Sequence, residues 1–217
     1  MKRLNFSFTA KVEGIILNKI VKVLPDWVTP DLLTLLAFLA AIGGYVFYLL
    51  SANNLIFLWG VNLCLLIHWF GDSLDGKLAR FRKDERPKYG FYVDHMLDAV
   101  SAALFLGGLT SSALTLTSAW IWILALMLLC MVHVFLKSKV SGVFELSIGP
   151  AGPTESRILL FLVNVFIIYS GNPSLFIIIP LTLLDIIGWI GVGIFLLLLI
   201  PEIVKTTISL NKTDRSS

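Results

Sequence analysis

The sequence predicts an all-α integral membrane protein, with six transmembrane helices preceded by a short cytoplasmic amphipathic helix. Three observations carry this expectation. Hydrophobic residues make up 57% of the 217-residue chain and charged residues 14%, whereas soluble domains carry about 25% charged residues. The apolar residues gather into runs long enough to cross the roughly 30 Å of hydrocarbon in a bilayer. The charges collect in the segments between alternate runs. With a mean hydropathy of +0.88, a soluble globular protein, a disordered chain and a nucleic-acid binder are excluded together. Cys64 and Cys130 lie far apart in apolar runs and have neither disulfide-framework nor zinc-site spacing.

The chain divides into an N-terminal segment over 1–30, a six-helix domain over 31–204 and a polar cytoplasmic tail over 205–217. Ahead of the first span, Val12 to Leu24 places Ile15, Ile16, Ile20 and Val23 at helical spacing, with Lys11, Lys19 and Lys22 elsewhere. That pattern suits a basic amphipathic helix lying along an anionic membrane surface, or one packed on the protein itself. The first 25 residues hold no uninterrupted apolar core, so no signal peptide is expected. Thr29-Pro30 supplies an N-cap and a first helical position, starting span one at about Asp31.

The charge-free run Leu32 to Leu50 is span one. Span two is Leu55 to Gly71, continuing into the polar stretch Asp72 to Arg80. From Ala99 to Leu136 there are 38 residues without a charge, too many for one crossing. Thr110-Ser111-Ser112 through Ser118 breaks that run, giving spans over Phe91 to Ser111 and Ala119 to Leu136. The fifth, Ile158 to Ser170, is short unless its helix begins near Pro153, and proline is tolerated at the first helical position. Gly171-Asn172-Pro173 ends it, and Leu175 to Ile200 forms the sixth. All 17 lysines and arginines fall before span one, between spans two and three, between four and five, or in the tail. Positive charge marks the cytoplasmic side, so both termini and the two long connections are expected there. Only an even number of spans satisfies that distribution.

Chemistry is concentrated in Asp72 to Asp98. Asp72 and Asp75 are three apart at the end of span two, and Asp94 and Asp98 are four apart at the start of span three. Each spacing puts the pair on one helix face. The short connection predicts that the two helices are antiparallel neighbours, so that four carboxylates converge at one depth. Ionisable groups inside apolar segments are costly and usually functional. Four like charges there call for cations, and all-oxygen ligands favour hard ions such as Mg²⁺ or Mn²⁺. Gly76 and Ala79 keep the second helix slim, Gly90 lies one turn before Asp94, and Arg80 is placed to meet a phosphate. Together these residues describe a pyrophosphate site. Asp84 and Glu85, among basic residues, read as a solvated face.

The residues Asp72, Asp75, Gly76, Ala79, Arg80, then Gly90, Asp94 and Asp98 fill every position of D-x-x-D-G-x-x-A-R followed by G-x-x-x-D-x-x-x-D. This pattern resembles the signature of the CDP-alcohol phosphotransferases. The resemblance implies transfer of a phosphatidyl or phosphoalcohol group from a CDP-linked donor to an alcohol, with release of CMP. It implies Asp72, Asp75 and Asp94 as ligands of divalent metal, Asp98 as base and further ligand, and Gly76, Ala79, Arg80 and Gly90 around the CDP moiety. Family members often carry Pro-Asn-x-x-Ser/Thr at the start of span one. Here it is Pro30-Asp31-Leu32-Leu33-Thr34, so Asp31 removes an amide donor while Thr34 remains as a phosphate contact. Two ions, a homodimer and a bacterial or archaeal plasma membrane are further expectations of the resemblance.

Acceptor choice is read from the connection after span four. Lys137, Lys139 and Arg157 suit an anionic acceptor, or serve only as topology charges. The Asp94-His95 pair is similar to the diacylglycerol-using choline/ethanolamine branch, although consecutive helical residues diverge by about 100°. Asp185, inside the sixth span, is functional, protonated, or hydrogen-bonded to Thr182 within its own helix. Gly188, Gly191 and Gly193 read as a helix-packing face, with homodimerisation as one use, and His68 and His133 as packing residues. The expected reaction moves a phosphatidyl group from CDP-diacylglycerol to a small polar alcohol in phospholipid synthesis. The alternatives are a CDP-choline/ethanolamine-type transfer onto a lipid alcohol and, in a different class, a divalent-cation transporter.

Overall fold

The computed structural model describes residues 3–4, 10–141, 144–145, 153–172 and 181–216. Within them the chain forms α1 (Ala10–Ile20), α2 (Pro30–Leu50), α3 (Leu58–Arg82), α4 (Pro87–Ser111), α5 (Ala119–Ser141), α6 (Pro153–Ser170) and α7 (Leu183–Ser216). A two-residue parallel ladder pairs β1 (Arg3–Leu4) with β2 (Phe144–Glu145). Four helices are long and apolar enough to cross a membrane: α2, α3 with the 3₁₀ turn before it, α5 and α7. The protein is therefore an integral membrane protein. The polar residues Asp94, His95 and Asp98 hold down the hydropathy of α4, and Glu155 and Arg157 do the same for the 18-residue α6.

Helix ends follow local chemistry. Thr29 caps α2 by accepting from the Leu32 amide at 3.2 Å, with Pro30 as the first helical residue. α3 stops where Lys83 turns into the left-handed region at φ 59°. The Lys83 amide donates to the Arg80 carbonyl and the Asp84 amide to the Ala79 carbonyl. These two bonds are the pairing that closes helices, here completed without the usual glycine. Arg82 fastens the α1–α2 connection, donating to the Pro25 carbonyl at 2.8 Å and to that of Val28.

α2 is the spine of the bundle. It packs chiefly on α3 and then on α4, while α6 lies on α3 and α5 on α7. Without a hydrophobic drive between helices in lipid, close approach depends on small residues. A Cβ at Gly71 of α3 would stand 2.5 Å from the Leu33 carbonyl of α2, and one at Gly108 of α4 would stand 2.9 Å from the Tyr45 backbone. A Cβ at Gly44 would run into the Phe105 ring. α3 and α4 are not packed along one another, which corrects the expectation of antiparallel neighbours. Both lean on α2, where the glycine contacts allow close approach. The buried trio Tyr48, Asn62 and Asn164 joins α2, α3 and α6, with Asn164 donating to Asn62 at 2.9 Å.

α1 forms as a helix, packed on the protein by one face. Leu17 and Val21 are buried against Leu33, Leu74 and Leu78, whereas Ile15, Ile16 and Val23 stay exposed. Glu13 anchors it by accepting from Trp69 Nε1 at 3.1 Å, Ser73 Oγ at 2.8 Å and Thr154 Oγ1 at 3.1 Å. At the other end, α7 begins later and ends later than the sequence suggested. It runs through Pro201 to Ser216, so the supposed tail is largely helical, while the expected start at Leu175 lies outside the described residues. Gly188 packs on Ala119 and Trp120, and Gly191 on Ile123, so these two glycines serve contact with α5 of the same chain.

Asp185 opens α7. Its carboxylate accepts from the amides of Leu116, Thr117 and Thr182 and from the hydroxyls of Thr117 and Thr182, at 2.8 to 3.2 Å. The Asp185 amide in turn donates to Thr182 Oγ1 at 3.2 Å, making a reciprocal capping box. The one carboxylate thus ties the α4–α5 connection to the head of α7. Truncation in Asp185→Ala leaves several buried amides unpaired, each worth about 1–3 kcal/mol. We expect a loss of about 2–4 kcal/mol, read as a lowered melting temperature in detergent, with Asp185→Asn losing less. Wild-type melting of Asp185→Ala would overturn the cap.

Candidate active site

A cavity lies between α2, the C-terminal part of α3 and the N-terminal part of α4. Its lining includes Thr34, Ala37 and Phe38 from α2, His68, Asp72 and Asp75 from α3, and Asp94, Leu97 and Ser101 from α4. Gly71 draws α3 onto α2 one residue before Asp72, which brings Thr34 within 2.7 Å of Asp75. The Thr34 hydroxyl therefore orients Asp75, and it also lies 3.1 Å from the Pro30 carbonyl. The second Asp75 oxygen accepts from the Gly76 amide at 2.5 Å.

Asp98 stands one turn beyond Asp94 on the same face of α4. Possible ligand atoms of Asp94, His95 and Asp98 lie within 4.8 Å of one another. Asp72, Asp75 and Asp94 thus line one cavity, with Asp98 beside Asp94. Hard oxygen donors from two helices, partly buried and of one sign, fit a divalent cation.

The remaining candidates separate. Arg157, at the start of α6, donates to Asp72 at 2.7 Å and joins the site. Lys137 turns away, pairing with Glu202 of α7 at 2.8 Å, and Lys139 is exposed. His95 Nδ1 is 3.3 Å from Asp94, and its ring packs between Phe91 and Phe135 at centroid distances of 4.4 and 5.4 Å. Asp31 points out of the cavity to Arg86, which also lies over the Tyr89 ring at 4.4 Å. The hydrogen bond that Arg86 donates to Asp31 pushes its guanidinium further up from its already high range.

The signature glycines have no packing duty. A Cβ at Gly90 would meet nothing within 4 Å, and one at Gly76 would meet only the mobile end of Arg80, at 3.5 Å. Gly44, Gly71 and Gly108 are explained by neighbouring helices, whereas Gly90 faces open space. His68 and Ser101 are buried lining residues that motif reading missed. His68 was legible in principle, since it stands one turn before Asp72 on the same face. Ser101 and the Glu13 anchor had no signal in spacing alone.

No curated protein sequence matches the chain at a significant level. The family model for CDP-alcohol phosphatidyltransferase matches residues 27–197, a stretch that holds α2 to α6, the described first half of α7 and every lining residue of the cavity. The chain belongs to the CDP-alcohol phosphatidyltransferase family.

Proposed function

We propose that the protein transfers a phosphatidyl group from CDP-diacylglycerol to a small polar alcohol, releasing CMP, with divalent metal held by Asp72, Asp75, Asp94 and Asp98. Family membership carries the reaction class, phosphatidyl transfer from a CDP-linked compound in phospholipid synthesis. The observation that supports the site is that Asp72, Asp75 and Asp94 line one cavity, with Asp98 beside Asp94 and Gly90 facing open space. A substrate with a charged diphosphate and an apolar tail needs such a place, at the edge of the bilayer and bare of side chains.

Mg²⁺ or Mn²⁺, two ions in our reading, supplies charge neutralisation on the diphosphate and on the leaving CMP oxygen. The chain's own residues do the rest. Thr34 fixes the rotamer of Asp75. Gly76, Ala79 and Gly90 admit the nucleotide phosphates close to the helix backbones, and Arg80 offers a planar fork of donors to them. Asp98 accepts the proton of the incoming hydroxyl. The alcohol oxygen bonds to the β-phosphorus as the bond from that phosphorus to the bridging oxygen breaks, and CMP departs with the electron pair. Arg157, already at the carboxylates, is the acceptor-side cation in this reading; Lys137 is occupied by Glu202.

Six spans with both termini in the cytoplasm complete the reading, α4 and α6 crossing despite their polar ends. The support is twofold. At 25 residues α4 is long enough for the hydrocarbon. Exposed Trp59, Trp122, Tyr169 and Trp189 lie toward the helix ends remote from the carboxylates, as an interfacial aromatic belt does. Against a cation transporter, Asp185 is saturated by hydrogen bonds and extends no acidic path to the other side.

Two measurements test the proposal on purified protein supplied with CDP-diacylglycerol and a panel of polar alcohols. Asp98→Asn is expected to lower CMP release by about 10²–10⁴-fold while CDP binding, read by calorimetry, persists. Near-wild-type turnover of that variant would remove the base. Chelation is expected to abolish CMP release, with Mg²⁺ or Mn²⁺ restoring it; full activity in chelator would remove the metal.

A further inference from the structure

His68 has no part in the reaction as drawn, yet its place is unusual. The residue is 4% exposed and lines the cavity with Asp72, Asp75 and Asp94. It stands one helical turn before Asp72, about 5.4 Å further from the cytoplasmic end of α3. Phe105 of α4 fixes the ring edge-on, with centroids 5.5 Å apart and planes at 86°. Its Nδ1 is buried and has no hydrogen-bond partner among the described residues. A polar nitrogen left unpaired inside a bilayer is costly, and a bound group that pairs with it recovers that cost.

We propose that His68 recognises the lipid half of the donor, its Nδ1–H donating to an acyl-ester carbonyl oxygen beside the phosphoglycerol. This rests on the phosphatidyl-transfer reading above. With the diphosphate at the aspartates and the nucleotide toward the cytoplasm, the next part of the donor toward the bilayer centre is the esterified glycerol. Its carbonyl oxygens only accept hydrogen bonds. A neutral imidazole protonated at Nδ1 donates one, and it adds no charge next to the carboxylates. A polar acceptor alcohol arrives from water and does not reach that depth. The immobile ring also confers selectivity, because a donor without carbonyls leaves the nitrogen unpaired.

The test compares two donors on the full-length protein in lipid micelles, dioleoyl CDP-diacylglycerol and its dialkyl-ether analogue, with CMP release as readout. The wild type is expected to show a KM about tenfold lower for the ester donor, the value of one hydrogen bond. His68→Phe, which keeps a ring against Phe105, raises the ester KM about tenfold, leaves the ether KM unchanged and holds kcat within about twofold. His68→Leu behaves as His68→Phe does, and His68→Asn, which returns an N–H near the Nδ1 position, restores most of the ester preference. A packing role moves both donors together. Equal losses on the two donors, or no loss on either, overturn the proposal and leave the transferase reading standing, since wild-type turnover reports on that separately. Failure of the wild type to release CMP from either donor overturns both.

Discussion

Everything in this protein turns on placing like charges together at the edge of a low-dielectric slab. Carboxylates repel one another strongly where water is scarce, and a bilayer offers little to screen them. The fold answers with separation and support. α3 and α4 each press on α2 and not on each other, so the aspartates meet across a gap by their side-chain ends. Arg157 and Thr34 reach into the gap from α6 and α2 and hold Asp72 and Asp75. What is left over is acceptor capacity aimed at open space, the electrostatic condition for binding cations and, through them, a diphosphate.

The gap exists because glycine is spent selectively. At Gly71 and Gly108 the missing side chain lets α3 and α4 touch the backbone of α2, and at Gly44 it admits the Phe105 ring. At Gly76 the Arg80 guanidinium lies alongside, and at Gly90 nothing does. The first three set helix distances, and so allow Thr34 to touch Asp75. Replacement at those three would alter the frame; a small side chain at Gly90 would meet open space.

Much of this was legible in the sequence. Thr29-Pro30 marks the start of α2, the charge-free runs mark the bodies of the helices, and the spacing of the aspartates points to the cavity that Asp72, Asp75 and Asp94 line. Periodicity says which residues share a face, but not which neighbour that face meets. For that reason the weak packing of α3 on α4 was missed, as was the diversion of Lys137 to Glu202. In α1, Leu17 and Val21 pack on the protein beside the tie from Glu13 to Trp69, Ser73 and Thr154, and Ile15 and Ile16 stay exposed. His68 looked like a core residue, since only three dimensions reveal an unpaired nitrogen at the cavity wall.

Asp185 and the Asp72–Asp98 cluster show how one residue type serves two purposes in one membrane. What separates them is the supply of donors, and depth or charge has little part in it. Asp185 receives three amides and two hydroxyls, so its lone pairs are filled and no ion could outbid them without dismantling the head of α7. Asp72 takes one bond from Arg157, while the ligand atoms of Asp94 and Asp98 lie within 4.8 Å of one another and of His95. A saturated carboxylate is a structural bolt. Carboxylates grouped this closely keep acceptor capacity of the kind that suits a hard cation.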